Sequence, residues 1–346
     1  MNTKDLELAL HAFPYPGLTR TLGELKLVSA VKVTANTAVI ELLTVSDDSY
    51  LTLKNAILAS FADVFATIEI TKKKTVTKDT NYGNSAAPNN RAPYAKNIIA
   101  VTSGKGGVGK STVSVNLAIA LAQKGYKVGL LDADVYGPNV PRLTNTDLEK
   151  IKWNDANQIV PSENYGIKIM SVALTTPTSD TPLVWRSSVA VSALIQFLED
   201  VAWGELDFMV IDMPPGTGDI QLTMAQELPI TAGVIVTTPQ LVASDDVSRA
   251  IRMFQDIHVP IAGLVENMSY FIAPDTKIRY DIFGSGGGKR LAQRYNIALL
   301  GQIPIDMQIR EGSDNGEPPV ALGSDTQKKY YQDIVQRMLE EIEFKL

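Results

Sequence analysis

The stretch that most constrains this 346-residue chain is an apolar run, Ile98–Thr102, that feeds a glycine-rich turn and then a helix-compatible segment, Val113–Gln123. The turn reads Ser103-Gly104-Lys105-Gly106-Gly107-Val108-Gly109-Lys110-Ser111-Thr112. It satisfies GxxxxGK(S/T) in the strand–loop–helix setting the pattern requires. Glycines let successive backbone N–H groups turn inward onto phosphate oxygens, and the helix N-terminus adds the positive end of its dipole. The expected cradle is Gly104, Gly106, Gly107, Val108, Gly109, Lys110, Ser111 and Thr112. Lys110 is expected to reach the β- and γ-phosphates of ATP, and the Ser111 hydroxyl to ligate Mg²⁺.

Around this loop the pattern is that of an α/β protein. Short apolar runs recur at Ile98–Thr102, Val128–Asp132, Ile167–Val172, Phe208–Asp212, Val234–Thr237, Ala262–Val265 and Ala298–Gly301, with helical segments between most of them. Near-continuous apolar strands linked by helices imply a doubly wound, mainly parallel sheet covered on both faces. Ahead of it, residues 1–77 read as a small α/β domain with strands at Leu27–Val33, Ala38–Val45 and Thr67–Thr71 and a helix through Tyr50, Leu53, Ile57, Leu58 and Phe61. Residues 78–95, rich in Asn, Pro, Ala and Gly, read as a flexible linker, and 96–346 as the nucleotide-binding domain. Near the C-terminus Tyr331, Ile334, Val335, Met338 and Ile342 form one apolar helix face, expected to pack on the core.

Three carboxylates close strands. Asp212 ends Val210-Ile211-Asp212, and Asp132 and Asp134 sit at the end of Leu130–Asp134. Strand C-termini face the crevice where open α/β sheets bind ligands. Asp212 therefore suits a magnesium-holding role, with Asp132 assisting. Pro214–Asp219 (PPGTGD) reads as a switch loop responsive to the γ-phosphate, and Asn267 closes a strand at the same edge, in reach of adenine. A second glycine cluster, Gly284–Lys289, lacks the following Ser or Thr and reads as a loop entering a helix.

Composition excludes several classes of chemistry. The chain holds no cysteine and only two histidines, His11 and His258, so disulfides, thiolate zinc sites, cysteine nucleophiles and self-supplied thiolate clusters are ruled out. The formal net charge is −6, which argues against general binding to nucleic acid or anionic lipid. The acidic N-terminus, MNTKDLELALHAF, does not read as a signal peptide, and no apolar run approaches the ~20 residues needed to span a bilayer, so a cytoplasmic location is expected.

Gly-Lys-Gly-Gly-Val-Gly-Lys-Ser, with its extra Lys105, resembles the deviant Walker-A group of ATPases. That resemblance implies a homodimer closed around ATP, with Lys105 reaching the partner's phosphates and Asp134 orienting the attacking water. Asp132–Asn139 (DADVYGPN), Asp212–Asp219 (DMPPGTGD), Asn267–Phe271 (NMSYF) and Tyr280–Gly288 (YDIFGSGGG) together resemble the Mrp/ApbC family of ATP-dependent iron–sulfur cluster carriers. Residues 1–77 resemble the assembly domain often fused ahead of it. The family implies an iron–sulfur cluster and apo client proteins. Ala273 and Thr276, however, stand where the family's CxxC is expected, and Trp185-Arg186-Ser187-Ser188 departs from its usual Trp-Arg-Gly-Pro. Two alternatives stay open on this reading: a partitioning or positioning ATPase, and a cluster-free ATP-dependent scaffold, chaperone or clamp.

Overall fold

The structure, a computed structural model, describes residues 2–13, 21–23, 28–34, 36–43, 47–62, 64–73, 90–175, 187–240 and 242–345. Most of the expected linker, and Trp185-Arg186, lie outside the described residues. The chain divides into two compact units, Met1–Ser85 and Ala86–Leu346.

The first unit runs α1 (Thr3–His11), β1 (Val28–Thr34), β2 (Thr37–Leu43), α2 (Asp47–Phe61) and β3 (Thr67–Lys73). β1 and β2 form an antiparallel pair, and α2 carries the chain over so that β3 lies parallel to β2. Leu6 and Leu10 of α1 are buried with Ile40, Leu42, Leu53 and Ile57. The helix α1 was not expected from the sequence: two apolar anchors one turn apart are a faint periodic signal. Its N-terminus is nevertheless firmly marked, because Asn2 and Asp5 form a reciprocal capping box.

The second unit begins with β4 (Ala95–Ser103), α3 (Lys110–Gln123), β5 (Val128–Asp132) and α4 (Val140–Leu143). A small hairpin, β6 (Lys152–Trp153) with β7 (Ile159–Val160), precedes β8 (Ser162–Asn164) and β9 (Ile167–Ser171). There follow α5 (Ser187–Asp200), β10 (Leu206–Asp212), α6 (Asp219–Glu227), β11 (Ala232–Thr237), α7 (Val242–Asp256) and β12 (Ile261–Glu266). The unit ends with the hairpin β13 (Phe271–Ile272) and β14 (Arg279–Tyr280), α8 (Gly287–Tyr295), β15 (Leu299–Gln302), α9 (Met307–Asp314), α10 (Pro319–Leu322) and α11 (Asp325–Glu341).

The main sheet has eight strands in the order β15-β12-β11-β4-β10-β5-β9-β8. All of its pairings are parallel except β8 with β9 at one edge. Its central strands are buried on both faces, which is why their sequences read as unbroken apolar runs. One face packs against α3 and α11, with Leu117, Leu121, Tyr331, Ile334, Val335 and Met338 in a shared core. The opposite face carries Leu194, Phe197 and Leu198 of α5, Met224 of α6, and Ile251 and Phe254 of α7. Asn97, fully buried near the start of β4, holds the C-terminal segment by donating to Lys345 O and accepting from Lys345 N.

Register places the acidic residues at one end of the sheet. Asp212 lies opposite Val101 on β4 and Asp132 on β5. The glycine-rich loop leaves β4 at this same end, so every candidate chemical group converges there. Among the described residues no helix is long and apolar enough to cross a membrane.

Candidate functional site

The loop between β4 and α3 is shaped by backbone that only glycine adopts readily. Gly107 and Gly109 have φ of 77° and 80°, and Gly109 is the N-cap of α3. A Cβ on Gly109 would overlap the Asn267 amide, and one on Gly104 would overlap the α7 backbone at Asp246–Val247. The glycines thus serve close packing as well as the turn.

Behind the loop a polar cluster forms around Asp212, which is fully buried at the end of β10. Lys110 Nζ lies 2.8 Å from Asp212 Oδ1 and 3.9 Å from Asp134 Oδ2. Ser111 Oγ donates to Asp212 Oδ2 at 2.6 Å, and Ser114 Oγ donates to Oδ1 at 2.7 Å. One carboxylate therefore holds the ammonium and the hydroxyl expected to meet phosphate and metal. An ammonium this deeply buried needs such a partner. Ser114 was not anticipated: it lies three residues beyond Ser111, on the same helix face, and that spacing was the available signal.

Asp134 lines the cavity beside this cluster, and burial raises its carboxyl above the ordinary range. Asp132 lies deeper than Asp134. It is fully buried and does not line the cavity; its oxygens accept from Asp134 N and Val140 N, each at 3.2 Å, and from Ser171 Oγ at 3.0 Å. Burial, reinforced by the nearby Asp212 carboxylate, pushes Asp132 up to about 8. These bonds pin the Asp132–Asn139 loop to the sheet.

Asn267 lines the cavity. Its Nδ2 donates to Val108 O at 2.9 Å and its backbone N–H to Thr237 O at 2.8 Å, so the amide nitrogen also fastens the glycine-rich loop. Lys105 Nζ donates to Gln240 Oε1 at 3.0 Å within its own chain. In the expected switch loop, Gly216 N donates to Ser103 O at 2.8 Å and Gln221 Nε2 to Pro215 O at 2.6 Å. The first bond ties that loop to the residue that opens the phosphate loop, and the second ties it to α6. The side chain of Asp219 lies outside the described residues.

The loop opens into a cavity of about 630 Å³, within the ~300–1,000 Å³ usual for small-molecule sites. Its lining brings the loop residues Gly106, Gly107, Gly109, Lys110, Ser111 and Thr112 together with an apolar group, Met268, Phe283, Pro304, Ile305 and Ile309. The first group suits phosphates and the second the faces of a planar base. Sequence reading missed the apolar group because it is gathered from three separated segments. The one signal was Pro304–Asp306, which follows the edge strand β15 at the carboxyl side of the sheet.

The second glycine cluster is explained by packing. Gly287 lies against the Pro239 carbonyl and Gly288 against Glu266, leaving no room for a Cβ at either. Buried Glu266 accepts from Gly288 N and Ser269 Oγ, each at 2.5 Å, and from Gln302 Nε2 at 2.6 Å. Ala273 and Thr276 sit in the exposed connection of the β13–β14 hairpin, where Ala273 N donates to Ile278 O at 3.0 Å and the Lys277 N–H returns to Ala273 O at 2.9 Å. His258 is exposed just beyond α7 with φ 59°, a helix-end conformation.

A parallel sheet with a glycine-rich phosphate loop at the mouth of its central strand defines a P-loop NTPase. Over residues 94–339 the chain matches the ParA family of NUBPL iron-transfer P-loop NTPases, and it belongs to that family. It is 51% identical over 237 residues to the iron-sulfur cluster carrier protein of Aquifex aeolicus, a match covering 68% of this chain and 65% of that relative. The chain thus spans somewhat less than two thirds of that relative's length. A carrier protein of Synechocystis is 42% identical over 311 residues, covering 88% of this chain and 87% of its own. Among solved structures, the nucleotide-binding protein of Archaeoglobus fulgidus in complex with ADP is 40% identical, with a TM-score of 0.58, covering 66% of this chain and 89% of its own.

Proposed function

We propose that this chain is a Mg²⁺-dependent ATPase whose nucleotide cycle serves iron–sulfur cluster transfer to apo client proteins, with every cluster thiolate supplied by those clients. The observation that carries the ATPase reading is the convergence of Lys110, Ser111 and Ser114 on Asp212 directly behind the glycine-rich loop. The hard oxygens of Ser111 and Asp212 fit Mg²⁺, which takes few protein ligands and fills its shell with water and phosphate oxygens. When bound, the ion neutralises charge building on the β- and γ-phosphates.

The chain's own residues do the rest. Backbone N–H groups of Gly106–Thr112 hold the phosphates, and Lys110 turns from Asp212 to the γ-phosphate. Asp134, 3.9 Å from Lys110 at the cavity wall, orients the attacking water. Burial raises this carboxyl, and the charge of the Lys110 ammonium opposes that effect. Lys105 is assigned to the phosphates of a second copy, in the manner of an arginine finger, worth ~10³–10⁵ in rate in other NTPases. The cargo reading rests on family membership and on the carrier names of the relatives.

Direct carriage does not fit the residues present. Iron–sulfur clusters need soft thiolate donors, and the chain has no cysteine, with Ala273 and Thr276 in the hairpin where ligands were expected. The test of the ATPase reading is phosphate release with and without Mg²⁺. Lys110→Ala is expected to abolish turnover, and Asp134→Asn to lower it ~10²-fold or more with ATP affinity retained. Wild-type-like turnover in either variant would remove the reading.

A further inference from the structure

The two lysines of the phosphate loop are held in different ways. Lys110 is buried on the Asp212 carboxylate at 2.8 Å, whereas half-buried Lys105 rests on the neutral amide oxygen of Gln240 at 3.0 Å. Among the described residues no carboxylate pairs with Lys105. Asp246, whose backbone touches Gly104 beside it, has its own carboxylate engaged by Arg249.

Both sides of the Lys105–Gln240 contact are fixed by backbone packed too closely for side chains. On the loop side, Gly104 lies on the α7 backbone at Asp246–Val247. On the other, the Pro239 carbonyl, one residue before Gln240, is covered by Gly287 at the start of α8. Gln240 also follows directly from the central strand β11 through Thr238-Pro239. The backbone that carries the amide is therefore set in place by the fold at the edge of the phosphate loop.

We propose that Gln240 is a positioning residue for Lys105: a fixed, neutral seat that orients the ammonium and lets it leave for phosphate. This rests on the role assigned to Lys105 above. A carboxylate at this position would bind the ammonium as an ion pair and compete with phosphate for it, while an amide carbonyl gives direction without a full opposing charge. The same logic explains why the seat differs from that of Lys110, whose ammonium is too deeply buried to be left without a counter-charge.

The test uses the full chain and compares ATP affinity and turnover in wild type, Gln240→Glu, Gln240→Ala, Lys105→Ala and the Lys105→Ala/Gln240→Glu double variant. Gln240→Glu is expected to slow turnover about tenfold or more with ATP affinity changed less than about twofold, because it traps the finger and leaves the phosphate cradle alone. Gln240→Ala, which removes the seat without adding a charge, should slow turnover measurably but less than Gln240→Glu does, and Gln240→Glu should have no further effect once Lys105 is gone. Wild-type turnover in Gln240→Glu, equal slowing in Gln240→Ala, or equal slowing in the Lys105→Ala background would each overturn the inference. If wild type hydrolyses ATP and Lys105→Ala does so equally fast, the assigned role of Lys105 fails, and this inference with it. A second measurement needs no added charge: Gln240→Ala should raise the rate at which Lys105 is acylated, read peptide by peptide, and an unchanged rate contradicts a seat.

Discussion

Asp212 and Asp132 face each other across neighbouring strands, yet they do different work. Asp212 gathers Lys110, Ser111 and Ser114, while Asp132 accepts from two backbone N–H groups and Ser171. The difference can be tested by pH. Asp132 is pushed from 3.8 to about 8 in the fold, so its contribution to stability is complete below about pH 4 and is lost as pH rises toward 8. One such group changes unfolding free energy by at most ~1.4 kcal/mol per pH unit. Urea denaturation between pH 4 and 8 should therefore show a downward trend that Asp132→Asn flattens. Parallel curves for the two proteins would mean that Asp132 is not the group responsible.

At the scale of elements, the parallel strands were legible because each is covered on both faces and so is apolar throughout. The expected Val128–Asp132 run coincides with β5, and Ile167–Val172 exceeds β9 by one residue. What escaped was short, exposed or antiparallel: β8 at the sheet edge, the β6–β7 hairpin, and β13–β14, where Ile272 and Tyr280 are exposed and no burial pattern marks the strands. The site divides the same way. Gly104–Thr112 is contiguous and declares itself, whereas Gln240, Phe283 and Ile309 come from distant segments and are united only by the sheet. Asn267 was placed at the right edge, but its bond to the loop was not legible, since a strand-end side chain there can turn to the loop or to the ligand. The Gly284–Gly288 stretch, similar in composition to the phosphate loop, belongs to packing. Gly287→Ala should accordingly destabilise the protein by ~1–3 kcal/mol through overlap with the Pro239 carbonyl. Chemical denaturation measures this, and a loss below ~0.5 kcal/mol, the scale of ordinary surface substitutions, would count against so tight an approach.

At the scale of the whole molecule, the chain combines the phosphate loop of its family with a sequence that holds no cysteine, and so no thiolate for an iron–sulfur cluster. The exposed hairpin carrying Ala273 and Thr276 offers backbone, alkyl, hydroxyl, carboxylate and ammonium groups, none of them a soft donor. Under the proposed function, any cluster in the ATP cycle is held by thiolates that this chain does not supply. The measurement that tests this most directly is iron and acid-labile sulfide bound to the full chain after anaerobic reconstitution, with and without ATP and a cysteine-bearing apo client. The account predicts no cluster on the chain alone, ATP hydrolysis by the same preparation, and ATP-dependent cluster occupancy on the client. Stoichiometric iron and sulfide retained by the chain without a client would contradict it.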